Sequence, residues 1–379
     1  MNRATHILSI LAFFASIINA QALTLKYHVL AIAPGFAQGV NDKGDVVGTL
    51  TLASTDIYYQ PKHAFLYKNG KTTDLGVYNT PQAPYYESTI GKAVNNSDIV
   101  VGDISNPGGP KGGVDYGAFD AFLWKNGVMT DIAQGTSDGG QSAFAVGINE
   151  QGTAVGTYDA VLFLHVGLFG YPHAYVSRNG VRTDLGTLAG ENTNYSFGYG
   201  INNAGQVVGV SSNTKGGFGG GTYTPPGTLW YAFLWTNGTM KAIGGAQSAN
   251  FSPAAINNNG WIAGTLNVSQ VAGTYNDQAV LYVNSRFIPL GAVKGFPTSQ
   301  GLSMNDLGMV VGNLFTGAPS YTSSVFVYNG VMHDLNTLVD GGWKITTVGK
   351  INNFGQIAAT GTKSGSTATY ALLLTPSLF

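Results

Sequence analysis

Tyrosine is the residue type in this chain whose placement could do chemistry. The sequence holds 20 of them, and many fall in Gly-rich connecting segments. Tyr58, Tyr59, Tyr85, Tyr86, Tyr116, Tyr171, Tyr195 and Tyr223 lie there, with Trp343 beside them. An exposed Tyr or Trp offers a flat apolar face and a polar tip, and it loses little entropy on ordering. Such rings stack on sugars or grip a protein surface. Their other use is to pin loops onto a scaffold. The pairs Tyr58–Tyr59 and Tyr85–Tyr86 are the preferred ligand contacts, because two adjacent rings cannot easily both be buried.

Acid–base chemistry has fewer candidates. A glycoside hydrolase needs two carboxylates at a suitable separation. The same segments hold Asp56, Glu87, Asp103, Asp115, Asp138, Asp159, Glu191, Asp277 and Asp340, which sequence cannot pair. A lyase acting on uronic acids needs a cation for the carboxylate and a Tyr or His to move a proton. His165 is available, but Arg178, Arg182 and Arg286 fall in other elements. Lys62, Lys111, Lys215, Lys294, Lys344 and Lys363 would have to serve instead. His63 and His173 occupy a repeated position that elsewhere holds Asp, Tyr, Gln or Ser, so a strand-start hydrogen bond suits them better than catalysis. The chain has no Cys, no His-Glu-x-x-His and no Asp-rich calcium loop. It has no Gly-x-Ser-x-Gly elbow, and the Gly216–Gly221 run lacks the Lys of a phosphate loop. No cofactor and no metal are expected.

The elements that position these residues come from a seven-fold repeat. Its Asn recurs at Asn41, Asn95, Asn149, Asn202, Asn257, Asn305 and Asn352, at intervals of 54, 54, 53, 55, 48 and 47 residues. A period of that size marks an array of one supersecondary unit. In the first unit Asn41-Asp42-Lys43-Gly44 reads as a tight turn into a strand from Asp45 to Leu50. His63 to Lys68 is a second apolar run, Asn69-Gly70 a hairpin turn, and Lys71 to Gly76 a returning strand. The apolar run returns as Ala121-Phe122-Leu123-Trp124, Ala174-Tyr175-Val176 and Ala232-Phe233-Leu234-Trp235, and in three further units.

Consecutive apolar residues imply a strand buried on both faces, as in sheets stacked around an axis. The last unit stops after its third strand near Leu374, and an orphan strand of about Leu25 to Ile32 precedes the first Asn. That orphan can complete the last sheet, which hides the edges. The expectation is an all-β fold: a seven-bladed β-propeller of four-stranded antiparallel blades, closed by the N-terminal strand. The tight turns fall at one end. The long variable segments fall at the other, where repeat scaffolds usually carry function. One of those segments, Val161 to Phe169, is strongly apolar. It suits either a packed hairpin or a partner-docking patch.

His63-Ala64-Phe65, His173-Ala174-Tyr175 and the Ile201–Gly209 stretch resemble the HAF-repeat family of extracellular bacterial proteins. The resemblance covers nearly all of the chain after its leader. It implies export and a repeat-built fold, and it carries no activity with it. The N-terminus reads the same way: Arg3, an apolar run from Ile7 to Ile18 and Ala20-Gln21-Ala22 match a signal peptide over residues 1–22. One propeller domain, 23–379, is expected after it, without a transmembrane anchor. Only 10% of residues are charged and the net charge is −1, which leaves no basic face for nucleic acid. The function expected is a secreted, monomeric binding module whose partner is a polysaccharide or a cell-surface protein. A glycan-active enzyme on the same face and a structural surface protein are the alternatives.

Overall fold

The structure is a computed structural model that describes residues 25–53, 61–78, 88–106, 118–132, 143–159, 171–190, 194–212, 229–245, 250–269, 276–317 and 323–378. Its strands form five four-stranded antiparallel sheets and one sheet of seven. The larger sheet is two blades joined by one long strand, Leu25–Val40. Leu25 to Pro34 pairs with Thr369–Leu378 and forms the outermost strand of blade 7. Gly35 to Val40 then pairs with Val46–Thr51 and forms the innermost strand of blade 1. The fold is therefore a seven-bladed β-propeller closed by its N-terminal strand. The innermost strands of blades 2 to 7 are Ser88–Val94, Ala143–Ile148, Ser196–Ile201, Phe251–Ile256, Thr298–Met304 and Trp343–Ile351. No helix among the described residues is long and apolar enough to cross a membrane.

Each repeated residue has a packing reason. The ring in the middle of the third strand, as at Phe65, Phe122, Tyr175, Phe233 and Phe326, is fully buried. Clusters span neighbouring blades: Val47, Ala64 and Leu66 of blade 1 pack with Val94, Val100 and Phe122 of blade 2. Burial on both faces explains the unbroken apolar runs. The closing Gly of the second strand answers a bulge in the innermost strand. At Gly102 an added Cβ would lie 1.9 Å from the Ile90 carbonyl oxygen, and at Gly209 it would lie 1.9 Å from that of Phe197. In blade 7 the innermost strand shifts register twice, and there Ala359 stands in place of Gly. The Asn69-Gly70 hairpin has positive φ at both residues, 51° and 77°, the type I′ geometry that matches strand twist.

The repeated Asn does more than cap a turn. Its Oδ1 accepts the N–H groups two and four residues on, as Asn41 does from Lys43 and Asp45. Its Nδ2 donates to the backbone carbonyl of the same Asn in the next blade. The seven bonds run from Asn41 to Asn95 and on through Asn352 back to Asn41, at 2.8 to 3.2 Å. All seven side chains are buried. The following residue makes a second ring. The N–H groups of Asp42, Asn96, Glu150, Asn203, Asn258, Asp306 and Asn353 each donate to the side-chain oxygen of the next member, at 2.8 to 3.0 Å. Two closed hydrogen-bonded rings thus tie the tight-turn end of the propeller.

A second tie joins the third and outer strands of blades 1, 3 and 6 at the opposite end. His63 Nδ1 lies 2.9 Å from Asp74 Oδ2, and His173 Nδ1 lies 2.9 Å from Asp184 Oδ2. Ser324 Oγ donates to Asp334 Oδ1 in blade 6 at 2.7 Å. These histidines serve the strand-start role expected of them. In blade 2 the same place holds Asp120, opposite Asp131. Burial, with the Asp131 charge added, pushes the Asp120 carboxyl up to about 6. Between the ordinary carboxylate value and pH 6 the folded state holds the extra proton, so stability falls as pH rises through that window. Asp120→Asn is expected to raise the melting temperature above pH 6 and to flatten this slope, leaving the part due to the other buried carboxyls, Asp103 and Glu150. A melting series from pH 4 to 8 that shows no difference from wild type would refute the assignment.

Candidate functional site

The end of the propeller opposite the Asn rings carries an aromatic row on blades 3 and 4. Tyr171 precedes the third strand of blade 3, Pro172–Arg178. It packs on Tyr195 with ring centroids 5.7 Å apart. Tyr195 meets Trp230 at 5.9 Å, and Trp230 meets Phe197 at 5.6 Å. Ordinary strand bonds and serines hold this row in place. The Tyr195 N–H donates to Ser212 Oγ at 3.0 Å, and its carbonyl accepts from the Ser212 N–H at 2.9 Å and from Ser211 Oγ at 3.0 Å. Trp230 opens the third strand of blade 4, paired to Ser212. Burial raises the Tyr195 phenol above its usual range, with Tyr171 adding to it.

Beside this row lies a cleft of about 660 Å³ between blades 4, 5 and 6. Phe197, Tyr199 and Trp230 form the wall on the blade 4 side, and Phe251 of blade 5 also lines the cleft. Asn267, Asp277 and Gln300 line the other. Asn267 Nδ2 donates to Asp277 Oδ1 at 3.1 Å, and Gln300 Nε2 donates to Asp277 Oδ2 at 3.3 Å. Each carboxylate oxygen keeps acceptor capacity after these bonds. Ser252 and Asn250 add exposed polar groups at the same cleft. One wall thus presents apolar ring faces and the other a fixed set of donors and acceptors. A polyhydroxylated ring needs both: its C–H face packs on the aromatic side and its hydroxyls find partners opposite.

The cleft opens beside the axial channel. There Gln38, Lys92, Val146, Leu302 and Lys350 line a cavity of about 370 Å³. Lys92 Nζ lies 3.5 Å from Asp103 Oδ2, and Asp103 also accepts the Ala145 N–H at 3.1 Å. Burial pushes the Asp103 carboxyl up to about 6, against the pull of Lys92 and the Ala145 N–H.

Of the aromatic ligand contacts expected from sequence, the structure describes three. Tyr171 is buried beneath Tyr195 and supports the row. Tyr195 is half-buried at the rim. Trp343 stands on blade 7, edge-on to Tyr370 at 5.7 Å and below the Lys363 ammonium, so it belongs to a different part of the rim. Tyr58, Tyr59, Tyr85, Tyr86, Tyr116 and Tyr223 lie outside the described residues, as do His165 and the Val161–Phe169 segment. Among the described carboxylates, Asp103 belongs to blade 2, Asp277 to blade 5, and Asp340 precedes blade 7. No described partner stands beside Asp277 as the second carboxylate of a hydrolase. No group of three His, Asp or Glu that could hold a metal occurs among the described residues. Arg178, Arg182 and Arg286 lie on third and outer strands as expected; Arg182 stacks over Tyr158 at 3.9 Å. Sequence reading counted Tyr199 among the Tyr residues of the variable segments but missed Phe197, Trp230, Asn267, Gln300 and Lys350.

No protein-family model matches the chain, and no curated protein matches it in sequence. Solved structures do resemble the fold. The β-propeller domain of the Trilobed protease from Pyrococcus furiosus, which has an open velcro topology, overlays with a TM-score of 0.52 at 8% identity, over 91% of this chain and 97% of that one. The acylaminoacyl peptidase of Pyrococcus horikoshii overlays at 0.54 and 9% identity, over 92% of this chain and 52% of that one. The chain thus spans about half the length of that peptidase. The likeness to both is one of propeller fold.

Proposed function

We propose that this protein is a glycan-binding propeller, and that the cleft between blades 4 and 6 is its binding site. The observation that carries the reading is the opposition of the Phe197–Tyr199–Trp230 wall to the Asn267–Asp277–Gln300 wall across one cleft. The HAF-like motifs and the signal-peptide pattern of residues 1–22 support a secreted location, where such a ligand is met. The single described carboxylate of the cleft favours binding over hydrolysis, which needs two.

Native electrophoresis through gels containing soluble polysaccharides tests this. Retardation of the protein in at least one gel is expected, with the polymer around the band intact. Clearing of the polymer would make the protein an enzyme. Unchanged mobility in every gel would remove the glycan reading and favour a protein partner. Trp230→Ala should weaken the retardation by about tenfold or more, the loss usual for a central aromatic contact. Its melting temperature checks that the variant is folded.

A further inference from the structure

The axial channel contains a charge that the protein itself does not answer. The innermost strands alternate between blade core and axis, which sends Lys92 and Lys350 into the channel. Lys92 has Asp103 beside it at 3.5 Å. Lys350 has no ion pair or hydrogen bond with any described residue, and the charged groups facing it across the cavity are Lys92 and, through it, Asp103. Channel solvent reaches the Lys350 side chain, which is only partly exposed. The surrounding walls strip enough water from its ammonium to hold its pKa below the usual lysine value. A cation kept in such a place without a partner is costly for a fold. An anion arriving from outside would relieve that cost.

The cleft and the channel cavity share Leu302 as a wall. A ligand resting on Trp230 and Phe197 can therefore extend a substituent toward the axis. Phe36, Val146 and Leu302 give the channel an apolar lining, and Gln38 and Thr347 give it hydrogen-bonding groups. We infer that the channel is an anion subsite with Lys350 as its receptor, and that the glycan bound in the neighbouring cleft is acidic. The inferred chemistry is a sugar ring bearing a carboxylate or sulfate, and the identification of the ligand as a glycan rests on the function proposed above. With a net charge of −1, the protein has no general attraction for polyanions, so the affinity would come from this site.

Two measurements test this together. The first compares wild type, Lys350→Met and Lys241→Met in gels of polygalacturonate, a sulfated galactan and a neutral glucan. Lys241 is exposed on an outer strand and serves as the control for surface charge. Retardation of wild type and Lys241→Met by an acidic polymer, weakened about tenfold or more in Lys350→Met, is the expected result. Polygalacturonate or the galactan then identifies the anion as carboxylate or sulfate. Lys350→Met should melt no lower than wild type, because it removes an unpaired charge. Retardation by the neutral glucan alone, or equal retardation of Lys350→Met in the acidic gel, overturns the anion subsite and leaves the glycan reading standing.

The second measurement follows the carbon-13 methyl resonance of reductively methylated Lys350, assigned by its loss in Lys350→Met, during titration with glucuronate, inorganic sulfate and glucose. A shift with either anion and none with glucose supports the subsite even if no gel retards the protein, in which case the glycan reading alone fails. An unmoved resonance in both anion titrations overturns the subsite.

Discussion

Deletion of residues 23–34 is expected to abolish cooperative folding and to leave an aggregating chain. The segment supplies the whole outer strand of blade 7, with nine paired positions from Leu25–Leu378 to Pro34–Tyr370. Its Tyr27 is fully buried among Leu335, Leu338, Ile345 and Leu374, and its N–H donates to the Leu338 carbonyl at 2.9 Å. Removing the strand exposes that cluster and leaves the Thr369–Leu378 strand as an open edge, a template for pairing between chains. The point variant Tyr27→Ala isolates the packing part, at about 3–5 kcal/mol by analogy with other large aromatic truncations. That is a large share of the roughly 5–15 kcal/mol that holds a typical domain. Tyr27→Phe is the control: the buried Tyr27 hydroxyl has no hydrogen-bond partner, so its removal should leave stability equal or higher. Size-exclusion chromatography and thermal melting read all three variants. A deletion chain that remains monomeric and melts like wild type would show that the ring does not depend on this strand.

The second large effect is expected at the buried Asn ring. Asn352 donates to the Asn41 carbonyl at 2.8 Å across the joint between blade 7 and blade 1, and its Oδ1 accepts the Phe354 and Gln356 N–H groups at 3.0 and 2.9 Å. Asn352→Ala strands these backbone groups at a buried site. Buried groups left unsatisfied cost about 1–3 kcal/mol each, and turn N–H groups recover part of that from water. A loss of about 3 kcal/mol is therefore expected in urea denaturation. Asn353→Ala, in the more exposed second ring, should lose about 1 kcal/mol or less. Equal effects at the two positions would mean that the buried ring contributes no more than the exposed one.

The repeat made the blades legible. The spacing of the seven Asn residues counted them, the unbroken apolar runs at Phe65 and Phe233 indicated double-sided burial, and the orphan strand expected at about Leu25 to Ile32 pairs over Leu25 to Pro34. The Asn ring was only half legible. A local turn accounts for Oδ1, but the Nδ2 bond to the next blade spans about fifty residues of sequence and exists only once the ring has closed.

The site was harder to read for a related reason. Lys350, Tyr199 and Gln300 lie in innermost strands, where alternation sends every second side chain to the axis. A pattern of period two cannot say whether the second face meets solvent, a neighbouring blade or a channel. Trp230 begins a strand immediately after the variable segment that ends at Leu229, so it reads as the start of the core. The aromatic residues singled out from sequence were those of the loops. The row that the structure assembles combines Tyr171 and Tyr195 of the loops with the strand residues Phe197 and Trp230.

The account rests most heavily on the cleft between blades 4 and 6, and calorimetric titration tests it most directly. Wild type, Trp230→Ala and Trp343→Ala would each be titrated with an oligosaccharide cut from whichever polymer retards the protein. If the cleft is the site, Trp230→Ala loses about tenfold or more in affinity while Trp343→Ala, on the rim of blade 7, binds as wild type does. Full affinity in Trp230→Ala, with the loss falling on Trp343→Ala instead, would contradict the assignment and move the site to the other side of the ring.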